Sequence, residues 1–256
     1  MYSLKNKIVL ITGASSGIGA ASAKEFAKRG AKLILIARRK SRLEKLAEEL
    51  KSLCKTKFLL IELDVRNRKK VTAAIKNIPT EWKSISILLN NAGLASGLNK
   101  FQEADVDDWE KMIDTNIKGL LYVTREILPK MIEQNEGHII NIGSIAGHFN
   151  YPNGNVYSAT KFAVNSLTQG LRMDLFGTPI RVSSVDPGMV ETEFSLVRFH
   201  GDATRAKKTY EGTRPLSAKD IAETIIFCAT RPPHVNIQDV IIMPTDQAAL
   251  HLVRRD

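Results

Sequence analysis

Apolar residues fall in short runs separated by amphipathic stretches along the whole chain. Ile8–Thr12, Lys32–Ala37, Lys57–Leu63, Ser86–Asn90, His138–Gly143, Ile180–Asp186 and Asp239–Met243 are near-continuous apolar runs of strand length. Between them, helical spacing of apolar positions recurs over Gly17–Arg29, Ser41–Leu53, Arg68–Asn77, Asp107–Leu128, Val156–Phe176 and Ser217–Thr230. Gly30 ends the first of these helices and Pro79 closes the third. Ser41 with Glu44, and Asp107 with Glu110, stand at capping-box spacing. Strands apolar on both faces, alternating with helices, predict an α/β fold with a parallel sheet covered on both sides. Right-handed crossovers wind such a chain into a doubly wound sheet of the Rossmann type. No repeat, low-complexity tract or linker divides it, so residues 1–256 read as one domain, with a substrate lid around 188–215.

Composition supports an ordinary core: 43% of the 256 residues are hydrophobic and 25% charged, which argues against disorder. The net charge of +10 raises nucleic acid, membrane surface or an anionic ligand as partners. Lys and Arg are dispersed, however, and the densest run, Arg38-Arg39-Lys40, directly follows a strand with no nucleic-acid motif beside it. Nucleic acid is therefore not an expected partner. No apolar run reaches membrane-spanning length, and the first residues run straight into a strand without a leader-like apolar region, so the cytosol is the expected compartment. Cys54 and Cys228 stand at no metal or redox spacing and read as free thiols; no metal is expected.

Chemistry enters at the first strand's end. Gly13-Ala14-Ser15-Ser16-Gly17-Ile18-Gly19 joins a strand to a helix. Gly13 permits a tight turn, Gly17 a close approach to a pyrophosphate, and Gly19 tight packing of helix on sheet. The helix N-terminus then offers free N–H groups and a favourable dipole to an anion. The second strand ends in Ala37, where an NAD site usually carries a carboxylate for the ribose 2′-OH. Arg38 and Arg39 follow, two guanidinium groups suited to a 2′-phosphate, with Ser15 able to add a hydroxyl. NADP is thus the expected cofactor.

Tyr157 and Lys161 lie four apart on a predicted helix and share a face. A nearby ammonium and a cationic nicotinamide would lower the tyrosine pKa and allow proton exchange with an alcohol or carbonyl oxygen. Ser144, after the fifth strand, would polarise the same oxygen. Asn116, taken alone, reads as a buried amide bonded to the backbone.

TGASSGIG, Asn90-Asn91-Ala92-Gly93, Asn116, Ser144, YSATK and Asp186-Pro187-Gly188 occur in order along essentially the whole chain. In that order and spacing they resemble the short-chain dehydrogenase/reductase family. The resemblance implies that Ser144, Tyr157, Lys161 and Asn116 are catalytic, with Asn116 anchoring a water of a proton relay. It also implies that Lys161 holds the nicotinamide ribose. Asn91 and Gly93 would line the adenosine side, Asp64 and Val65 the adenine, and Pro187, Gly188, Val190 and Thr192 the nicotinamide end.

LLNNAGLASG, DWEKMIDTNIKGLL, GNVYSATK and PGMVETEFSLVRFHGD further resemble one subgroup, the NADP-dependent 3-hydroxy acid dehydrogenases, also described as serine or L-allo-threonine dehydrogenases and malonic semialdehyde reductases. That resemblance implies short 3-hydroxy acids as substrates and a homotetramer. A short acid needs a partner for its carboxylate: Arg198, or His148 or Asn153. Arg198 in an intrachain salt bridge is the competing reading. Glu191-Thr192-Glu193 follows Val190 directly, without the glycine-containing insert of bacterial members. Two other functions stay open at this point. One is the same chemistry on a larger carbonyl, such as an acyl-carrier-linked 3-oxoacyl group; the other is an NADPH-binding regulator without turnover.

Overall fold

The computed structural model describes residues 2–256. Seven parallel strands form one sheet in the order β3-β2-β1-β4-β5-β6-β9. They are β1 (Ile8–Thr12), β2 (Lys32–Ala37), β3 (Phe58–Glu62), β4 (Ile85–Asn90), β5 (His138–Ile142), β6 (Arg181–Pro187) and β9 (Asp239–Ile242). The expected apolar runs all became strands, their bounds moved by a residue or so where the ladder ends.

Alternation within each strand sends successive side chains to opposite faces. Val9 and Ile11 of β1 pack with α1 (Gly17–Lys28), α2 (Lys40–Leu53) and α9 (Ala218–Ala229). Ile8 and Leu10 face the other layer, which holds α3 (Arg68–Lys76) and α5 (Leu120–Glu133). α6 (Asn155–Asp174) packs beside β6 on that side. Leu10, Ile11, Leu33–Ile36, Leu88 and Leu89 have no accessible surface, as expected of strands covered on both sides.

Several helix boundaries differ from the sequence reading, each for a local reason. The Asp107–Leu128 helix is longer and interrupted: α4 (Val106–Ile113) runs through a π-helical segment, Asp114–Gly119, into α5. Its N-cap is Asp105, whose side chain accepts from the Asp107 N–H, so no Asp107–Glu110 box forms. Nor does Ser41–Glu44 cap α2, which begins one residue earlier behind Arg39 without a side-chain cap. A reciprocal box does form where none was expected, between Ser217 and Asp220 at the start of α9. The stretch after β6 carries β7 (Val190–Glu191), α7 (Phe194–Arg198), α8 (Ala203–Lys208) and β8 (Leu216–Ser217), elements too short for periodicity to reveal. β7 and β8 pair in parallel as a separate small ladder.

One buried cation ties the sheet's last strands to α9. Arg181, at the head of β6 and 9% exposed, donates to the carbonyls of Cys228, Ala229, Arg231 and Val235 at 3.4, 3.2, 3.3 and 3.2 Å. Two of these are orphan acceptors of the last helical turn. Arg181→Met is expected to lower stability by about 2–4 kcal/mol, because it strands buried carbonyls that a charged donor had satisfied. Urea unfolding followed by circular dichroism measures it; a midpoint equal to wild type would contradict this role.

Candidate active site

A cleft opens at the carboxyl ends of the strands, where β1 and β4 lie side by side and their connections leave on opposite sides. Its floor depends on close backbone approach. Gly13 has φ +65° and Gly17 φ +52°, both left-handed values that side chains rarely adopt. A Cβ on Gly19 would sit 2.5 Å from Asn91 Nδ2 and against the Gly13 carbonyl. Asn91 Nδ2 donates to Thr12 O and Gly13 O at 2.9 and 3.1 Å, and Thr12 Oγ1 accepts from the Asn91 and Ala92 N–H groups at 3.0 Å each. Asn91 thus holds the glycine loop from behind. Thr12 was not foreseen; a Thr before the glycines was its only signal.

Gly13, Ser15, Ser16, Gly17, Ile18, Arg38, Arg39, Asp64, Val65, Asn91, Gly93, Ser144, Tyr157, Lys161, Pro187, Gly188, Val190 and Thr192 all line this cleft. Ala14 does not: its side chain is fully buried in the core and its N–H donates to Ile36 O. Gly19, too, acts behind the lining. Gly93 belongs to the catalytic end rather than the adenosine side, since a Cβ there would lie 3.7 Å from Lys161 Nζ and 3.4 Å from Asn116 Oδ1.

Charges at the far end suit an anion. Arg39 Nη2 donates to Ser16 Oγ at 3.2 Å, so Ser16 rather than Ser15 joins the arginine. Two carboxylates reach this rim: Asp64 is matched by Arg66, and Glu193 by Arg42 at 2.5 Å and, more loosely, by Arg39 itself at 3.4 Å. Both carboxyls are held below the usual range, and burial opposes that shift in each. At Asp64 burial is the largest influence, outweighed together by the hydrogen bonds and charge of Arg66; at Glu193 the Arg42 bond is itself the largest. No carboxylate stands at the end of β2 to repel a 2′-phosphate, and Arg38 and Arg39 flank the place it would take. These residues fit a phosphorylated dinucleotide.

At the other end, Ser144 follows β5 and Tyr157 and Lys161 project from the first turns of α6. Ser144 Oγ donates to the Pro187 carbonyl at 3.4 Å, and Ser144 is among the groups that lower the Tyr157 pKa against burial. Its Oγ also accepts from the Ala146 N–H at 3.1 Å, which fixes its rotamer. Lys161, 6% exposed, donates to Ile142 O at 2.8 Å. Burial pushes its ammonium down to about 8, against the attraction of Asp186. Tyr157 departs from the sequence reading: burial raises its pKa, and the cation that opposes this is Arg198 rather than Lys161. The Arg198 guanidinium carbon lies 5.0 Å from the Tyr157 ring centroid, and Lys161 Nζ lies 5.9 Å away.

Asn116 sits in the π-helical segment, a distortion that turns it inward. Its amide is fully engaged: Oδ1 accepts from the Leu94 N–H at 2.8 Å, and Nδ2 donates to Leu94 O and Thr160 Oγ1 at 2.8 and 3.0 Å. The backbone-bonded reading is the geometry observed, and the side chain braces the loop beside Lys161.

Arg198 makes no salt bridge among the described residues. Its guanidinium packs on the rings of Tyr151, Tyr157 and Phe194, Nη2 donates to Tyr151 Oη at 2.8 Å, and buried Nε has no partner. His148 is turned away and bonded to Asp186, which removes it as a carboxylate partner. Asn153 and Tyr151 both line a small cavity behind Tyr157 with Trp109 and Met112; Tyr151 was missed, having only its nearness to Tyr157 as a signal.

Residues 7–201 match the family described as short chain dehydrogenase. The chain belongs to that family. It is 48% identical over 242 residues to the NADP-dependent 3-hydroxy acid dehydrogenase of Escherichia coli K12, covering 94% of this chain and 96% of that one. The enzyme of the same description from Schizosaccharomyces pombe is 45% identical over 256 residues, covering 100% and 99%. A solved structure described as the closed form of serine dehydrogenase complexed with NADP⁺ superposes with a TM-score of 0.92 at 47% identity, over 97% of this chain and 100% of that one.

The family's glycine loop makes a sharp test of the cleft. Gly19→Ala places a methyl against Asn91 Nδ2 and the Gly13 carbonyl. Overpacking of this kind costs about 1–3 kcal/mol, so the dissociation constant for NADPH is expected to rise about five- to hundredfold. Fluorescence titration reads it; unchanged affinity would show that the loop has room to relax.

Proposed function

We propose that this chain is an NADP-dependent oxidoreductase that interconverts the 3-hydroxyl and 3-oxo groups of short 3-hydroxy acids such as L-serine, L-allo-threonine and 3-hydroxypropionate. The observation that carries the acid preference is Arg198, a guanidinium without a carboxylate partner, seated against the Tyr157 ring and bonded to Tyr151 Oη. A buried N–H left unpaired is costly, and a substrate carboxylate supplies its acceptor. The relatives named for 3-hydroxy acids and serine support the same reading.

The glycine loop, Asn91, Asp64 and Val65, Arg38 with Arg39, and Pro187 to Thr192 would hold NADP, with Lys161 on the nicotinamide ribose. Bound NADP⁺ supplies the acceptor for the substrate's hydride. In oxidation, Tyr157 as phenolate takes the substrate hydroxyl proton at its Oη. Ser144 Oγ donates to the same oxygen and fixes it. The Lys161 ammonium adds positive charge beside the phenolate, and Arg198 sets the distance by gripping the carboxylate. Asn116 keeps the Leu94 loop in register with Lys161. In reduction, Tyr157 returns the proton. The retention of Asn116, Ser144, Tyr157 and Lys161 favours turnover over a purely regulatory role.

Among the described residues no helix is long and apolar enough to cross a membrane. A cytoplasmic homotetramer is the assembly we infer. Exposed Ile113, Leu121, Phe162 and Met173 on α4, α5 and α6 supply apolar surface for it. Light scattering at four chain masses would support this, and one chain mass would overturn it.

Two variants test the chemistry. Tyr157→Phe is expected to keep NADPH binding and lose about 10²–10⁴ in kcat for L-serine oxidation. Arg198→Ala is expected to raise KM for L-serine about ten- to hundredfold, the loss of one charged hydrogen-bonding partner. An unchanged KM removes Arg198 from substrate binding.

A further inference from the structure

Behind the catalytic face lies a charged cluster that the mechanism above does not use. Asp186, on β6, is 1% exposed, yet its carboxylate is well supplied with donors. Ser184 Oγ donates to Oδ1, and His148 Nε2 bonds Oδ2, both at 2.5 Å. Asp239, on β9, stands next to it, its carboxylate oxygen 3.8 Å from His148 Nε2. The Asp186 carboxylate lies directly against Gly143: a Cβ there would meet Asp186 Oδ1 and come within 3.0 Å of Ser184 Oγ. Gly143 separates Ile142, whose carbonyl receives the Lys161 ammonium, from Ser144. The anion is therefore one backbone thickness from the catalytic pair.

We propose that Asp186 is a positioning residue for the reaction, a buried anion that sets the protonation of Lys161 and Tyr157 together. The inference rests on the reading of those two residues as the proton-handling pair. The charged and titratable groups facing the pair are few. Among the described residues Asp186 is the one anion acting on Lys161, and Arg198 and Asp186 act on Tyr157 with opposite sign. Asp186 itself faces His148, Asp239 and Ser184, and Lys161 across the strand.

A fixed anion favours the protonated state of both groups. Lys161, which burial would otherwise strip of its proton, stays charged to higher pH, and Tyr157 is held as phenol to higher pH. Ser184's hydroxyl dipole partly neutralises that anion on the side facing Gly143. Asp239 is half-exposed and farther out, and it takes up the repulsion instead: burial and the neighbouring Asp186 raise its own pKa. A purely structural Asp186 would alter stability or overall rate but would not slide a pH profile.

The test is kcat/KM for L-serine oxidation with NADP⁺ against pH, together with NADPH affinity against pH, which follows Lys161 without any substrate. Both limbs of the bell belong to the coupled pair. In Asp186→Asn both limbs are expected to move to lower pH by about one unit. In Ser184→Ala, where the carboxylate is less neutralised, they move the other way by a smaller step. In Asp239→Asn they stay in place. A folded, NADPH-binding Asp186→Asn protein with wild-type limbs overturns the proposal. If that variant does not fold, Ser184→Ala with limbs unmoved or moved to lower pH does so. Tyr157→Phe with near wild-type turnover would instead sink the underlying assignment of the pair, whatever Asp186 does.

Discussion

The contact between the β1 and β4 loops is the constraint on which the cleft depends. Asn91 reaches back from the end of β4 to the Thr12 and Gly13 carbonyls, and Gly19 passes close enough that a methyl group has no place. With those atoms in van der Waals contact, the N-terminus of α1 faces the cleft and its N–H groups stay free for an anion. The strand order supplies the rest, because neighbouring strands whose connections diverge leave a crevice between them.

The catalytic end is governed by a second constraint, the cost of burying charge. Lys161 lies in an interior position with one carbonyl acceptor, and an ammonium there survives only with compensation. The fold provides it from two directions: a carbonyl at the end of β5 and a carboxylate on β6, adjacent because those strands pair in parallel. Tyr157 lies between opposing fields, Arg198 on the lid side and Asp186 behind the sheet. The same guanidinium that we propose for the substrate carboxylate thus also sits in the field of Tyr157.

The order of elements was legible because strands buried on both faces and helices buried on one leave different periodicities. The glycine loop and the Tyr157–Lys161 pair were legible because short-range geometry dictates them: a left-handed turn, and one face of a helix. The caps were less so. Ser41 and Asp107 had the right neighbours, yet tertiary packing started their helices elsewhere, while Ser217 with Asp220, at the same spacing, formed the box. The π-helical segment that turns Asn116 inward leaves no periodic trace, since one extra residue in a turn only shifts the phase.

By itself the sequence determined the fold class, the glycine loop, the absence of a carboxylate after β2 and the placing of Tyr157 and Lys161 on one helix face, all consequences of chain-local pattern. Tertiary structure alone decided which charges meet. It put Arg198 on the Tyr157 ring instead of in a salt bridge, and it tied Asn116 to the Leu94 backbone. It also turned His148 toward Asp186 and set that buried anion behind Lys161. Those partners come from segments tens of residues apart, and electrostatic energy depends on distance and burial, neither of which a linear pattern encodes.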